Sequence, residues 1–400
     1  MPNAQETMAP GDRNRRLVHD LTVDVAIVGG GITGVTTARL LKQAGLTVAV
    51  LESRRLGEGE TVRTSAPLTE VPDLHLERWI GLAGEERARL AVNGQRRAIE
   101  RVKAFVKELK IDCQLQSVPA YLFAETADDG LTVEQEAMAA RKLRLDATLV
   151  DEIPVPFPVD RALRVTDQAQ FHPREYLLGL ARDIDGQGSH LFERTHVLDI
   201  DEGGPCRVTT EMGTVSARHV VLATNVPVST KLDVHGKVAS FRSYALGVEM
   251  PLAEPIGLLW DTGRPGHVLR SHTVDGRTYL VVADGDHRLG HGVDPGMPLR
   301  MLEDYVASHF HRDVAPTDLR WSGHVVESAD GLPLVGPTSP SERVFIATGY
   351  GSNGIVNGTL AAMVLADQLQ GGRANPWGEL FDPARFSRHQ TVEFEEEDED

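Results

Sequence analysis

The sequence predicts an α/β fold in which a discontinuous Rossmann-like domain is interleaved with an α+β domain built mainly on an antiparallel sheet. Three observations support this prediction. A strand, a glycine-rich turn, a helix and a second strand follow one another within residues 23–52. A second glycine-rich turn precedes a helix near residue 354, and repeated strand signals fill residues 236–285. Strands that alternate with helices favour parallel pairing, and strands in direct succession favour antiparallel pairing.

The N-terminal unit begins with a β-branched run typical of a buried strand, residues 23–29. It leads into a G-x-G-x-x-G motif formed by Gly29, Gly31, Ile32, Thr33 and Gly34. A helix pattern then ends at Gly45, and a second strand closes at Glu52, 23 positions after the first glycine.

Each part of this unit has a chemical role in a dinucleotide site. Gly29 permits the tight turn, Gly31 lets the backbone approach a pyrophosphate, and Gly34 lets the helix pack on the strand. The N–H groups and positive dipole end of the helix attract phosphate charge. Glu52 can accept the hydrogen bonds of an adenosine ribose. The unit therefore predicts a dinucleotide-binding site.

The segment after Glu52 is a loop rich in small and hydroxyl residues, where a further strand and helix could have followed. Such a loop can lie along an extended cofactor and offer hydroxyl and N–H groups to its pyrophosphate, although a surface loop has the same composition. The candidate contacts here are Ser53, Arg54, Gly59, Arg63, Thr64, Ser65 and Ala66.

The C-terminal unit favours FAD over NAD. Residues 344–349 have a strand pattern, residues 350–354 a turn, and residues 355–369 a helix. A second helix N-terminus would direct N–H groups at another part of the same ligand. In a flavin this part is N1 and O2 of the ring, where negative charge develops on reduction.

These motifs, together with Asp330-Gly331-Leu332-Pro333 and Thr348-Gly349-Tyr350-Gly351, resemble the D-amino-acid oxidase/glycine oxidase/sarcosine oxidase family of FAD-dependent oxidoreductases. The resemblance covers residues 22–387 and is greatest to a branch that often carries a C-terminal Rieske iron–sulfur domain. The Rieske Cys/His ligand pairs are absent from this sequence, which ends in an acidic run. No His or Cys occupies position 63 or residues 344–360, so non-covalent FAD is expected.

The resemblance implies further FAD contacts in the middle and at the end of the chain. Residues 197–200 and 220–224 have the pattern of short buried strands, which supports the middle positions. The implied contacts are Val197, Ala223, Thr224, Asn225, Gly349, Gly351, Ser352, Asn353, Gly354 and Ile355.

The cofactor segments and the stretches between them define the predicted domain divisions. Residues 84–110 form an amphipathic helix pattern, and a proline-rich linker covers residues 153–158. The divisions are a polar N-terminal tail 1–21, FAD-binding parts 22–75, 159–232 and 325–387, substrate-domain parts 76–158 and 233–324, and an acidic tail 388–400.

The composition restricts the partners and the compartment. Forty-one Lys and Arg against 58 Asp and Glu give a net charge of −17, which argues against nucleic acid or an anionic membrane. Two cysteines, Cys113 and Cys206, cannot form a disulfide framework, so a cytoplasmic location is expected. Neither a signal peptide nor a membrane-spanning run is predicted.

The candidate catalytic residues are Arg242, Tyr244, Arg270 and Tyr350. Arginine can bind a substrate carboxylate with two hydrogen bonds, and tyrosine can orient it. The first three can equally belong to a solvated sheet face with ordinary ion pairs. Tyr350 lies in the flavin-facing turn. His309 and His311 alternate as a strand metal pair would, but no third ligand accompanies them and no metal is expected.

Three functions fit these features. The first is an oxidase that transfers hydride from an amine or amino acid to flavin N5 and releases an imine and hydrogen peroxide. The second is a dehydrogenase for the same substrates that reduces a separate, Rieske-like carrier instead of O2. The third is a flavin-binding protein without turnover. After residue 142 the sequence has only Lys231 and Lys237, and neither can be placed over the flavin, which slightly favours the dehydrogenase.

The ribose assignment can be tested by Glu52→Ala. We expect this variant to bind FAD more weakly because the carboxylate that accepts the ribose hydroxyls is lost. FAD titration of the apoprotein gives the dissociation constant. An unchanged constant would contradict the assignment.

Overall fold

In a computed structural model of the chain the described residues are 15–71, 76–226, 235–251, 255–263, 266–274, 276–284, 287–288, 296–338, 342–372 and 375–386. The predicted acidic tail and most of the predicted N-terminal tail lie outside these residues.

The described chain forms strands and helices in alternating groups. The strands are β1 Leu21–Val28, β2 Val48–Leu51, β3 Pro67–Leu68, β4 Gln116–Ala124, β5 Ala147–Val150, β6 Arg161–Gln170, β7 His190–Phe192, β8 Val197–Asp201, β9 Cys206–Thr210, β10 Thr214–Leu222, β11 Val238–Glu249, β12 Leu258–Asp261, β13 His267–Val274, β14 Arg277–Asp284, β15 His287–Arg288, β16 Leu319–Ser328, β17 Leu334–Pro337 and β18 Val344–Thr348. The helices are α1 Ile32–Gln43, α2 Leu76–Ala83, α3 Glu85–Glu108, α4 Ala127–Lys142, α5 Pro173–Ala181, α6 Met297–Phe310, α7 Gly354–Leu369 and α8 Pro376–Leu380.

Sheet A has the strand order β17-β18-β10-β1-β2-β7, with β9 beside β10 and β8 beside β9. Strands β18, β10, β1, β2 and β7 are parallel. Their β-branched residues are buried on both faces, as a parallel sheet covered by other layers requires. The carboxyl ends of parallel strands meet at one edge, so the turns that follow β1, β2, β10 and β18 lie side by side.

Sheet B contains the remaining strands in the order β11-β14-β13-β12-β4-β6, with β15 and β16 along β11 and β3 and β5 along β6. All its pairs are antiparallel except β4 with β12. The predicted fold class, a Rossmann-like unit with an interleaved and mainly antiparallel sheet, is confirmed.

Helices α1, α3 and α7 pack closely because small residues lie between them. A Cβ at Gly358 of α7 would lie 2.7 Å from Thr33 Oγ1 of α1. A Cβ at Gly94 of α3 would lie 2.8 Å from Leu360 Cδ2 of α7. The apolar faces of these three helices and one face of sheet B form a single buried core. A separate core lies between the opposite face of sheet B and α6.

Helix α4 begins at Ala127 because the Thr126 hydroxyl accepts the Asp129 N–H and caps the helix. One local prediction needs correction. His309 and His311 do not lie on a strand: His309 is in the last turn of α6 and His311 follows its end. None of the described helices is long and apolar enough to cross a membrane.

Glu136 is a buried acid that joins α4 to α2. Its two carboxylate oxygens accept the N–H groups of Leu76 (2.8 Å) and Glu77 (3.2 Å) at the start of α2. Burial raises the pKa of the Glu136 carboxyl to about 7, although these two N–H groups act in the opposite direction. The folded protein therefore favours the protonated acid more than the unfolded chain does.

This pKa predicts a pH dependence of stability. Because the folded-state pKa is above the unfolded value, the stabilising contribution is present below pH 4.5 and is lost as the pH rises through about 7. Glu136→Gln should remove this dependence, so that the decrease in unfolding free energy between these two pH values becomes smaller by about 3 kcal/mol. Urea unfolding across this pH range gives the slopes. Glu134→Gln, on the same helix and paired with Arg161, is the control, and equal slopes in all three proteins would contradict the prediction.

Candidate cofactor and substrate site

Two glycines bring α1 against the strands of sheet A. Gly29 has φ +109°, and a Cβ there would lie 2.3 Å from the Ala223 carbonyl oxygen. A Cβ at Gly34 would lie 2.0 Å from the Gly29 carbonyl oxygen. Neither position can hold a side chain without moving the backbone, so both glycines are required by the turn itself.

Gly31 differs from these two positions. A Cβ there would meet only Thr61 Oγ1, at 3.2 Å, so the space before α1 is open on the side where a phosphate would bind. Gly31 is the N-cap residue of α1, and no side chain of the helix itself caps this end. The Ile32 N–H donates to Thr61 Oγ1 (3.0 Å), and Ile32 and Thr33 are buried. The α1 N-terminus can therefore bind an anion.

Thr61 is a residue that sequence analysis missed. Among the hydroxyl residues that follow Glu52 in this loop, the sequence predicts Ser53, Thr64 and Ser65 as cofactor contacts and not Thr61. In the structure the Thr64 hydroxyl accepts the Ala66 N–H (3.0 Å) within the loop, whereas Thr61 reaches α1. The only available signal was that Thr61 is also a hydroxyl residue of this loop.

Glu52 follows β2 at the carboxyl edge of sheet A, as predicted. Its Oε2 accepts the Gly30 N–H (2.7 Å), and its Oε1 accepts the Arg54 N–H (2.8 Å) and the Ser53 hydroxyl (3.3 Å). These bonds hold the carboxylate beside the glycine turn. Oε2 accepts only one of these bonds and has a further lone pair, which can accept a ribose hydroxyl.

The segment that leads to Val197 runs beside Glu52. The Glu52 N–H donates to the Phe192 carbonyl (2.9 Å), and the Thr195 N–H donates to the Glu52 carbonyl (2.8 Å). Val197, two residues later, is half-buried at the start of β8. Val197 therefore follows directly after a segment that is hydrogen-bonded to Glu52.

The turn after β10 lies against the glycine turn and the C-terminal unit. The Ala223 N–H donates to the Val28 carbonyl (2.8 Å), and Asn225 adopts φ +65°. The Thr348 hydroxyl donates to the Asn225 carbonyl (2.5 Å), and Thr224 lies between these two anchors. Residues 223–225 therefore sit between the two predicted FAD-binding turns.

The loop 59–66 bridges the two sheets. The Trp321 indole N–H of β16 donates to the Arg63 carbonyl (2.9 Å), and the His324 N–H donates to Glu60 Oε2 (2.7 Å). The Arg63 side chain is exposed, and Ala66 has φ +57°. With Gly59 preceding Thr61, the loop connects the α1 N-terminus to sheet B.

The second glycine-rich turn precedes α7. Gly349 and Gly351 have φ +74° and +58°, and the Gly351 N–H donates to the Val326 carbonyl (2.9 Å). The Asn353 amide donates to the Thr69 carbonyl (2.9 Å), and its Oδ1 is buried without a hydrogen-bond partner in the described chain. The side chain of Asn353, the N-cap residue of α7, does not cap this helix end, where Ser352, Gly354 and Ile355 lie.

Tyr350 connects the two turns. Its hydroxyl and Thr33 Oγ1 share a hydrogen bond of 2.9 Å, and its ring is buried beside Gly358. Burial raises the pKa of the Tyr350 hydroxyl. Because the hydroxyl is bonded to α1, this geometry gives Tyr350 a positioning role; its contact with substrate stays a prediction.

The other three catalytic candidates do not lie together. Gly247, Val281 and Arg270 occupy one row across β11, β14 and β13, so their side-chain positions share a face of sheet B. Tyr244 and Arg242 differ from Gly247 by odd numbers of residues on an unbroken strand and therefore lie on the opposite face. Tyr244 packs against the core beside α6, and Arg242 reaches the Ser322 hydroxyl (3.5 Å).

Arg270 is on the face of sheet B that joins the core containing Ile32, Ala66, Tyr350 and Ile355. The residue is 1% exposed, and Nε, Nη1 and Nη2 have no hydrogen-bond partner in the described chain. The prediction of an ordinary ion pair on a solvated face is wrong for this arginine. Among the described residues no group of three or more His, Cys, Asp or Glu could hold a metal.

The residues of this site fit FAD. The open space at Gly31 and the α1 N-terminus, with the Thr61 hydroxyl beside it, can receive a pyrophosphate, and Glu52 lies where a ribose would follow. The uncapped α7 N-terminus, tied to α1 through Tyr350, provides a second set of N–H donors for the ring end. Together these features define a dinucleotide-binding flavoprotein.

Comparison with known proteins agrees with this class. The family model described as FAD dependent oxidoreductase matches residues 24–368. A putative Rieske 2Fe-2S iron–sulfur protein of Bacillus subtilis (strain 168) is 30% identical over 92% of this chain and 73% of its own length. The gamma-glutamylputrescine oxidoreductase of Escherichia coli (strain K12) is 26% identical over 89% of this chain and 85% of its own. The crystal structure of glycine oxidase from Geobacillus kaustophilus superimposes with a TM-score of 0.76 at 19% identity, over 92% of this chain and 99% of that one.

The chain belongs to the family of FAD-dependent oxidoreductases. It is an enzyme of this class, and FAD is its cofactor.

Two of the motif glycines, Gly31 and Gly34, predict different outcomes on substitution. Gly31→Val should fold but purify with less than a tenth of the native FAD content, because its side chain enters the open space before α1. Gly34→Val should fail to fold, because its Cβ meets a carbonyl oxygen. Absorbance at 280 and about 450 nm gives the flavin content, and circular dichroism reports folding. A folded Gly31→Val protein with its full complement of flavin would contradict the prediction.

Proposed function

We propose that the protein oxidises the C–N bond of a small amine or amino acid to an imine. Its relatives include proteins named gamma-glutamylputrescine oxidoreductase and glycine oxidase, which supports this substrate class. The observation that carries the proposal is that the N-termini of α1 and α7, neither of which is capped by its own N-cap side chain, lie together opposite a buried face of sheet B, where Arg270 has no hydrogen-bond partner among the described residues.

The residues of sheet A bind and orient the cofactor. The α1 N-terminus and the Thr61 hydroxyl take the pyrophosphate, and Glu52 takes the ribose. The α7 N-terminus favours negative charge at the other end of the site. Bound FAD supplies the oxidant: the carbon beside nitrogen loses a hydride to it, the nitrogen loses a proton, and an imine remains.

The buried face of sheet B excludes water from the substrate. An amine must be neutral to release hydride, and a low-dielectric surface disfavours the charged ammonium form. The residues beside Arg270 in its row, Leu258 and Val281, are apolar and 5% exposed or less. This surface can hold the reacting carbon away from water. It can also fix the orientation of this carbon, which increases the rate of oxidation.

Two electron acceptors fit the proposal. O2 would make the enzyme an oxidase. A separate iron–sulfur carrier would make it a dehydrogenase, and the relative named as a putative Rieske protein, of which this chain spans 73%, favours this second candidate.

The substrate class and the acceptor can be determined in one experiment. The visible spectrum of the purified holoenzyme is recorded anaerobically before and after addition of amines, N-methyl amino acids, and D- and L-amino acids. Loss of the band near 450 nm with one class identifies the substrate.

Air is then admitted to the reduced enzyme. Return of the band within seconds indicates an oxidase, and slow return with fast reduction of a dye indicates a dehydrogenase. A yellow protein that no compound in the panel bleaches would contradict the proposed reaction and favour a flavin-binding role without turnover.

A further inference from the structure

Gln95 of α3 is a buried amide that reaches α7. The residue is 1% exposed, and its Nε2 donates to Asn357 Oδ1 of α7 (3.3 Å). The Asn357 Nδ2 donates in turn to the Tyr350 carbonyl (2.8 Å). Because a carbonyl can only accept, Asn357 presents Nδ2 to Tyr350 and Oδ1 to Gln95, and Gln95 must present Nε2. The three groups therefore form a chain of hydrogen bonds with one fixed direction.

Close packing of the helices brings Gln95 within reach of Asn357. The residue before Gln95 is Gly94, where a Cβ would lie 2.8 Å from both Leu360 Cδ2 and Trp377 Nε1. A side chain at this position would push α3 away from α7 and lengthen the bond between the two amides. The contact of Gln95 with Asn357 therefore depends on the close approach of α3 to α7.

The chain of hydrogen bonds ends at the turn that precedes α7. The Tyr350 carbonyl lies between Gly349 and Gly351, which have φ +74° and +58°. Glycine leaves the backbone of a turn free to adopt several conformations, so this turn has few restraints of its own. The bond from Asn357 and the bond from the Gly351 N–H to the Val326 carbonyl (2.9 Å) supply such restraints. By fixing Asn357, Gln95 therefore helps to fix the peptide group of Tyr350.

Helix α3 also holds the segment on the other side of this turn. Arg96 Nε donates to Glu70 Oε2 (2.6 Å), and Glu70 is 6% exposed. The neighbouring Thr69 carbonyl accepts the Nδ2 of Asn353, the N-cap residue of α7 (2.9 Å). Two consecutive residues of α3 thus anchor the surroundings of the α7 N-terminus.

The other end of the Gln95 amide is unused. Its Oε1 is buried and has no hydrogen-bond partner in the described chain. A buried acceptor without a partner is unfavourable, and an apolar side chain of the same length would avoid it. Such a side chain would also serve better if Gln95 only filled space between α3 and α7. The amide is therefore explained by the one group it uses, the N–H that fixes Asn357.

We propose that Gln95 is a positioning residue for the flavin ring, which acts through Asn357 and Tyr350 on the α7 N-terminus. The inference rests on the proposed function, in which the ring end of FAD lies at this helix end. The N–H groups there favour the negative charge that the ring gains on reduction. They do so only when the turn directs them at the ring, so a turn held in one orientation stabilises reduced FAD more than oxidised FAD. Gln95 thereby raises the reduction potential of the bound flavin.

The inference is tested by the two-electron potential of bound FAD in Gln95→Met, since methionine has a similar length and no N–H donor. We expect the dissociation constant of reduced FAD to rise about tenfold more than that of oxidised FAD. This ratio corresponds to a potential about 30 mV below that of the native enzyme. The potential is measured by equilibrium reduction of the holoenzyme against a dye of known potential, without any amine.

Two further variants define the route of the effect. Gln368→Met is the matched control, because Gln368 lies at the opposite end of α7 and its Oε1 also lacks a partner in the described chain. This control should keep the native potential. Asn357→Ala should lower the potential at least as much as Gln95→Met does. The double variant should equal Asn357→Ala alone, because Gln95 acts through Asn357.

Several outcomes would overturn the inference. They are a native potential in Gln95→Met, an equal fall in Gln368→Met, and a further fall when Gln95→Met is added to Asn357→Ala. A Gln95→Met protein that does not fold would assign the amide a structural role and overturn the inference as well.

The proposed C–N oxidation is judged separately, by loss of the visible band with an amine or amino acid. Equal potentials in an enzyme that such a compound bleaches would leave the reaction in place and remove the role of Gln95. Conversely, a lowered potential in Gln95→Met, in an enzyme that no compound of the panel bleaches, would overturn the proposed reaction and leave the role of Gln95 in place.

Discussion

The close approach of α1 to α7 is the contact on which the site depends. Gly358 leaves room for the first turn of α1, and the Thr33 and Tyr350 hydroxyls join the two helix starts by one hydrogen bond. Both helices begin without a side-chain cap of their own. Their open N–H groups and dipole ends therefore act at one edge of sheet A, where an extended anionic cofactor gains from both.

The loop 59–66 makes the two sheets parts of one site. It offers Thr61 to the α1 N-terminus and accepts hydrogen bonds from Trp321 and His324 of β16 through Arg63 and Glu60. A shift of sheet B is therefore transmitted to the cofactor end of α1. The position of sheet B relative to the α1 N-terminus is controlled by these few polar contacts and by the continuous apolar core around them.

Arg270 is a buried charged residue that lowers the stability of this fold, because its guanidinium has no hydrogen-bond partner among the described residues. An apolar residue would suit its row on sheet B better, because its neighbours there are apolar. The fold tolerates the charge because large cores lie on both faces of the sheet. Buried polar groups that lack a hydrogen-bond partner are concentrated at sites where a ligand supplies the partner. Such groups lower the stability of the protein.

The cofactor half of the site could be predicted from the sequence because its requirements are local. Gly29, Gly31, Gly34 and Glu52 lie within one strand–helix–strand unit, and their spacing along the chain determines their geometry. The fold class followed from the same alternation of strand and helix patterns. Thr61 could not be identified from the sequence, because its loop contains several hydroxyl residues and only packing against α1 selects one of them.

The substrate half was decided by the tertiary structure. Arg242, Tyr244 and Arg270 are equivalent as strand residues, and the register of β11, β14 and β13 alone places Arg270 on one face and the other two on the opposite face. Tyr350 bonds to Thr33, 317 residues away, which no local pattern contains. The sequence by itself determined the phosphate-binding turns, since they depend on neighbouring residues. Only the folded chain determined that Arg270 is buried without a hydrogen-bond partner among the described residues, because burial depends on segments distant in sequence.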